Sequence, residues 1–576
     1  MSLFPRTRDS IHKTTLAVAA VMAAVSLASC SAAPAPAPSS SPSVPLPQSS
    51  SEGPTTSAPP SPAASPDASA GDAPDDGTRA LGWGPEQRDQ DAAAAAVAAM
   101  TVEQKAGQVL MPSYSGTDAE AQAATIERLH LAGSIIMGDN IPLDARKQVD
   151  PAAMAAVNAR LAQAARADGR TWPGLIGVDQ EGGIVARLGA PLTEWPAPMS
   201  YGAAGSAPLT KDAGRALASE LVPLGFTVDF APDTDVTIGP ADPTIGARSM
   251  SGDPDTAARL GVAFSQGMQE AGLLPVVKHF PGHGSLTVDS HQSLPVQPAG
   301  VAELSARDWK PFQAAVAAGA PVVMTGHIAV PALEPGVPAS LSKPAYAALR
   351  ALGFNGVAVT DALNMGAIQQ QYPDGAAASA ALAAGADLLL MPPDVGKAHA
   401  AIVGAVASGS LPAARLDEAA RRVATMMIWR ARTAPPGGSA PGSGSVLSAQ
   451  VSAAAVTVLS GPCSGPLVPG SVRLDGGSPQ DRARFEAAAA KAGLGAGEGP
   501  LVSLIGYGGL PAGGDIAVAL DAPWPLQGSS APVKIAVYGR SQGAFDALAA
   551  VLAGKATAPG KLPAAVGSFP AGTGCP

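Results

Sequence analysis

Eight short apolar runs recur between Gln108 and Met391, and this recurrence limits the possible folds more than any other feature of the chain. They are Gln108 to Met111, Ser134 to Met137, Leu175 to Val178, Thr227 to Phe230, Pro275 to Val277, Val322 to Met324, Val357 to Val359 and Leu388 to Met391. Each has the length of a buried strand. Successive runs start about 30 to 50 residues apart, room for a crossover helix and a functional loop. Ala-rich amphipathic stretches between them, such as Pro311 to Ala318 and Ala376 to Ala384, fit helices. Strand–helix alternation gives an α/β fold with a parallel sheet. Eight such units suit a closed (β/α)8 barrel of the TIM type over residues 84–432; an open doubly wound sheet satisfies the same pattern.

Charged residues fall just after the apolar runs: Asp179 and Glu181, Asp233 and Asp235, Lys278 and His279, His327, Asp361 and Asp394. In either architecture these are the carboxyl ends of strands, where active sites are built. Residues 433–447, which include TAPPGGSAPGSGSV, have the composition of a linker. Beyond it, Val456 to Leu459, Leu501 to Leu504, Ile516 to Leu520 and Ile535 to Val537 read as strands and Ala544 to Ala553 as a helix. Residues 448–576 are therefore expected to form a smaller C-terminal α/β domain.

Arg6, Arg8 and Lys13 precede an apolar run from Leu16 to Ala28 that ends in Leu27-Ala28-Ser29-Cys30. A basic start, a short apolar core and small residues before a cleavage point read as an export signal over residues 1–30. Leu-Ala-Ser-Cys resembles the bacterial lipobox, which makes Cys30 a lipidation site and places the protein on the outer face of the cell membrane. Residues 31–83 are nearly all Ala, Pro, Ser and acidic residues, the composition of a disordered tether. Cys463 and Cys575 are the other two cysteines, a possible disulfide in an exported chain, although no spacing brings them together. The net charge is −10 and no basic tract follows the signal, which argues against a nucleic-acid partner. Neither a cofactor nor a metal is expected, since no CxxC pair exists and Pro281-Gly282 interrupts the helical spacing of His279 and His283.

KHFPGHGSLTVDSH, residues 278–291, holds three of the seven histidines. In an extended loop Asp289 and His291 project to the same side, and a carboxylate beside an imidazole fixes its tautomer and supports its protonated form. That pair suits a general acid that later acts as a base. GVDQEGG (177–183) ends a strand in two acids and two glycines; Asp179 is placed to accept from vicinal hydroxyls, Arg187 and Arg248 to donate. VAVTDAL (357–363) puts Asp361 at the end of an apolar strand, where a carboxylate serves either as a nucleophile or as the cap of the next helix.

Together, MTVEQKAGQVLM (100–111), GVDQEGG, APDTDV (231–236), TIGARS, KHFPGHG with DSH, and VTDALNM resemble glycoside hydrolase family 3, and more narrowly its β-N-acetylglucosaminidase branch, over roughly residues 95–430. The resemblance implies Asp361 as the nucleophile of a retaining double displacement and His291, paired with Asp289, as the acid/base. It implies Asp179, Arg187, Arg248, Lys278 and His279 as binders of a terminal N-acetylglucosamine. The family often has a second acid or another residue at Ala362 and an arginine at Ile184, departures that bear on substrate preference. VKIAVYGRSQGAFDALAAVLAGKATAPGKLPAAV (533–566) resembles the tail of the second domain in two-domain members, which is expected to be structural or to shape the substrate cleft. The expected substrate is an N-acetylglucosamine-containing glycan such as a muropeptide. A β-glucosidase-type or phosphorolytic activity, or an inactive wall-binding lipoprotein, remain the alternatives.

Overall fold

The computed structural model describes residues 77–373 and 375–576. The export segment, Cys30 and the tether as far as residue 76 lie outside the described residues. The last residues of the expected tether lie on the barrel: Trp83 is only 6 % exposed and joins its apolar core.

The barrel strands are β1 (Leu110–Met111), β2 (Gly133–Ile135), β3 (Leu175–Val178), β4 (Val228–Asp229), β5 (Leu274–Phe280), β6 (Val322–Thr325), β7 (Val357–Thr360) and β8 (Leu389–Leu390). Six form one parallel sheet in the order β7-β6-β5-β4-β3-β2, and β1 pairs in parallel with β8. Backbone hydrogen bonds cross both seams. Thr360 N donates to Leu388 O (3.0 Å) between β7 and β8, while Ala132 N and Ile135 N donate to Leu110 O and Pro112 O (3.1 Å each) between β2 and β1. The ring is closed, and the open-sheet alternative falls.

Each of the seven crossovers between these strands contains helix, from Ala119–Leu129 after β1 to Ala376–Ala384 before β8. Asp118, Asp150, Ser206, Asp253 and Ser342 each accept from a first-turn backbone N–H, the reason these helices start where they do. Asp394 does the same for Val395–Ser408, so this last strand-end acid is a helix cap rather than part of the rim. β5 is longer than its apolar run and carries Lys278 and His279 within the strand itself. Gln108 ends the helix Val102–Gln108 instead of starting β1, and its buried amide oxygen accepts from Arg170 Nη1 (2.6 Å). Among the described residues no helix is long and apolar enough to cross a membrane.

The C-terminal sheet contains β9 (Thr457–Ser460), β10 (Ser471–Gly476), β11 (Gly495–Ile505), β12 (Ile516–Ala519) and β13 (Val533–Ala536) in the order β9-β13-β12-β11-β10, with only β9 antiparallel. β10 escapes a reading of apolar runs because it is an edge strand in which Val472 alone is buried. The Pro/Gly/Ser segment is held against the barrel: buried Glu220 accepts from Thr193 N (2.9 Å), Gly442 N (3.0 Å) and Gly444 N (2.8 Å). The helix Ser445–Ala455 begins inside the segment expected to be linker.

The second domain docks on loops that follow β3 and on the segments flanking β4. Ala197 N donates to Tyr538 O (2.8 Å), Gly252 N to Pro563 O and Lys561 N to Ala203 O (3.0 Å each), and Arg484 grips Glu194 with both terminal nitrogens (3.0 and 2.7 Å). A disulfide joins Cys463 to Cys575 and ties the C-terminal tail to the start of this domain.

Candidate active site

The carboxyl ends of β3, β5 and β7 converge on a pocket of about 380 Å³ lined by Asp179, Glu181, Arg187, Arg248, Lys278, His279, His283, Ser290, His291 and Asp361. All eight catalytic and sugar-binding residues expected from the sequence, with the exception of Asp289, line this space. Asp289 stands behind the rim, where its Oδ1 accepts from His291 Nδ1 (2.8 Å) and His291 N (2.9 Å). The backbone bond arises because an aspartate two residues before an amide closes a local turn, and the turn is what aims both side chains the same way. His291 itself is 63 % exposed, in contact with both solvent and pocket.

Asp361 leaves the end of β7 with its N–H donated to Thr325 O (3.0 Å) on β6. Its Oδ1 accepts from Ala362 N (2.8 Å), and Oδ2 has no hydrogen-bond partner among the described residues. Burial works against the charge, but the His327 and His279 rings, the Ala362 N–H and the Lys278 ammonium outweigh it and hold the carboxyl at about 2. Asp361 is therefore an ionised acceptor with one free oxygen, not a helix cap. Nearby His327 bridges Ser340 Oγ (2.7 Å) and Ala362 O (2.9 Å), which fixes the peptide next to the carboxylate.

Glu181 is placed at a strand end by the sequence reading but given no role in the site. It is completely buried, accepts twice from Arg248 (Nε 2.9 Å, Nη2 2.8 Å) and lies 2.7 Å from Lys278 Nζ. Desolvation would raise its pKa, yet the two cations lower it to about 2. With its oxygens occupied, Glu181 orients Arg248 and Lys278 toward the pocket instead of meeting a ligand. Asp179 remains partly open, 3.2 Å from Arg187 Nη2 and 3.6 Å from Lys278 Nζ. Arg187 Nε has no partner among the described residues, a donor left for a ligand.

Burial lowers His279 to about 4, so the ring is neutral at neutral pH. Its Nδ1–H donates to Asp235 Oδ2 (2.7 Å), which leaves Nε2 as the acceptor. The other oxygen of Asp235 accepts from His283 N (2.6 Å), and His283 Nε2 meets Ser290 Oγ (3.0 Å). Asp233, Asp235 and His279 cluster closely enough to suggest a cation. However, Asp235 is already taken by these N–H donors and Arg248 lies 3.2 Å from Asp233, so the donor set suits hydrogen bonding better than metal binding.

An ionised buried carboxylate and a carboxylate-backed imidazole, in one sugar-sized pocket at a barrel mouth, define the class as glycoside-cleaving. Residues 101–426 match the glycosyl hydrolase family 3 N terminal domain, and the chain belongs to that family, in its β-N-acetylglucosaminidase branch. β-Hexosaminidase LpqI of Mycobacterium tuberculosis is 36 % identical over 270 residues, covering 45 % of this chain and 69 % of that relative. β-Hexosaminidase A of Pseudoalteromonas piscicida is 35 % identical over 286 residues, 46 % of each chain. The solved structure of a family 3 β-N-acetylglucosaminidase from Paenibacillus sp. str. FPU-7 superposes with a TM-score of 0.73 at 29 % identity, covering 81 % of this chain and 99 % of that one.

Proposed function

We propose that this glycosidase, a β-N-acetylhexosaminidase, removes terminal β-linked N-acetylglucosamine by double displacement and acts on peptidoglycan fragments outside the cell. The observation that carries the mechanism is the 2.8 Å His291–Asp289 contact at the rim of the pocket that holds ionised Asp361. In the first step Asp361 Oδ2 attacks the anomeric carbon as the glycosidic C–O bond breaks. The leaving oxygen takes the proton from His291 Nε2, while Asp289 supports the positive ring through Nδ1–H. In the second step His291 Nε2 accepts a proton from water, the new hydroxyl attacks the anomeric carbon, and Asp361 is released. Arg187, Arg248, Lys278, Asp179 and His279 hold the sugar, with donors and acceptors interleaved around its hydroxyls and acetamido group.

Purified protein is to be tested on aryl β-N-acetylglucosaminide and aryl β-glucoside, with and without phosphate. Faster release from the glucoside, or a sugar 1-phosphate as product, would reject this reading. The export reading rests on residues 1–30 alone: Cys30→Ser is expected to move the protein from the membrane fraction to the medium, and unchanged fractionation would refute the anchor.

A further inference from the structure

A hairpin of Gln180–Gly182 against Val185–Ala186 follows β3, with Asp179 at its entry and Arg187 at its exit. Side chains alternate along it, as extended backbone requires. Asp179, Glu181, Val185 and Arg187 line the catalytic pocket, whereas Gln180, Ala186 and Leu188 line a separate cavity of about 510 Å³ on the reverse face. Gln180 is only 3 % exposed, so a buried amide stands behind the pocket without entering it.

The backbone ladder holds this hairpin poorly. Its strands have three and two residues, and their register shifts between Gln180 and Gly182. The Gln180 side chain supplies what the ladder lacks. Its Oε1 accepts from Arg187 N (2.9 Å) and Leu188 N (3.0 Å), and its Nε2 donates to Leu188 O (2.9 Å). The Gln180 N–H donates to Asp229 Oδ1 (2.9 Å) on β4, which ties the peptide next to Asp179 to the barrel. One residue thus fixes the backbone on both sides of the Asp179–Arg187 ion pair (3.2 Å). Two N–H groups on Oε1 and a carbonyl on Nε2 leave the amide a single orientation. A carboxylate of the same shape would turn its second oxygen on Leu188 O without a proton between them; a protonated carboxyl would repeat the amide's pattern.

We infer that Gln180 is a positioning residue of the sugar site: facing away from the pocket, it holds Asp179 and Arg187 at the spacing that grips the terminal sugar. The inference rests on the glycosidase reading above; what it adds is a role for the residue between the two strand-end acids. The charged groups around position 180 are Asp179, Glu181 and Arg187 on the hairpin itself, Asp229 on β4, Lys278 on β5 at 3.6 Å from Asp179, and Glu194 with Arg484 across the rear cavity. All are common to wild type and to a variant at position 180, so their own titration cancels when the two are compared at each pH.

Full-length wild type, Gln180→Leu and Gln180→Glu are assayed on an aryl β-N-acetylglucosaminide from pH 5 to pH 8. Gln180→Leu loses all three side-chain bonds and is expected to raise KM about tenfold at every pH, with kcat changed less than about threefold. In Gln180→Glu the carboxyl donates to Leu188 O only while protonated. Its kcat/KM relative to wild type should therefore stay within about threefold at pH 5 and fall to about a tenth at pH 8. A Gln180→Glu ratio that is flat across this range, or an unchanged KM in Gln180→Leu, overturns the clamp. Should Gln180→Leu fail to fold, the slope of the Gln180→Glu ratio decides alone. Wild-type protein inactive on this substrate would instead reject the glycosidase reading, and the clamp with it.

Discussion

Three buried acids around one cluster of cations do not share a protonation state, because each has a different set of donors. Asp361 and Glu181 sit against Lys278 or its neighbours and stay ionised, whereas Asp229, with Oδ1 on Gln180 N (2.9 Å) and Oδ2 unpartnered, is pushed by burial up to about 8. Replacing Asp361 by Asn should cut turnover about 10⁴-fold or more while leaving the melting temperature near wild type; retained activity would reassign the nucleophile. Asp229 gives a pH prediction. Its raised pKa means the folded state keeps a proton that the unfolded state has lost, so this contribution to stability is present below about 4 and fades as pH rises toward 8. Asp229→Asn cannot titrate, and its melting temperature relative to wild type should therefore rise from pH 5 to pH 8. A flat difference would show that Asp229 is already charged in the fold. Asp179 and Glu181 were legible as strand-end acids, but their separate roles depend on Arg248, 67 residues beyond Glu181, and no local spacing records that partnership.

At the scale of elements, the loop that carries the proposed acid/base is seated, not merely long. Ser290, buried beside exposed His291, meets His283 Nε2, and Gly366 N and Ala367 N donate to His291 O and Ser290 O (3.3 Å each). A Cβ at Gly366 would stand 2.7 Å from His291 O, so only glycine lets the loop settle on the segment after Asp361. Gly366→Ala and Ser290→Ala are each expected to lower kcat/KM on chitobiose about tenfold and to spare aryl substrates whose leaving groups need little acid. Equal losses on both substrates would make these contacts structural only. The DSH spacing announced the dyad in the sequence because Asp and His lie two residues apart in an extended turn. The seat was hidden, since it joins residues 290–291 to 366–367 across two barrel strands. The strands themselves were readable wherever both faces are buried, as in β6 and β7, and unreadable at the exposed edge β10.

For the whole molecule, the eight-fold recurrence foretold the barrel and the hydrogen bonds across β1 close it. The second domain was legible as α/β, but its grip on the barrel was not: Pro563, Lys561 and Tyr538 contribute backbone atoms, and any sequence could supply those. The Cys463–Cys575 bond closes a loop spanning 112 positions, so opening it frees considerable chain entropy in the unfolded state. Cys463→Ser is expected to destabilise the protein by about 2–5 kcal/mol, read by urea unfolding, with little change in activity at low temperature. An unmoved midpoint would show that the tail contacts alone hold the domain.

The double displacement predicts a covalent sugar on one carboxylate. Trapping with a slow fluorinated N-acetylglucosaminyl donor, followed by mass spectrometry of the digested protein, should add a single sugar to the peptide that contains Asp361. Steady turnover of the donor with no adduct, or with the sugar attached to another residue, would contradict the mechanism.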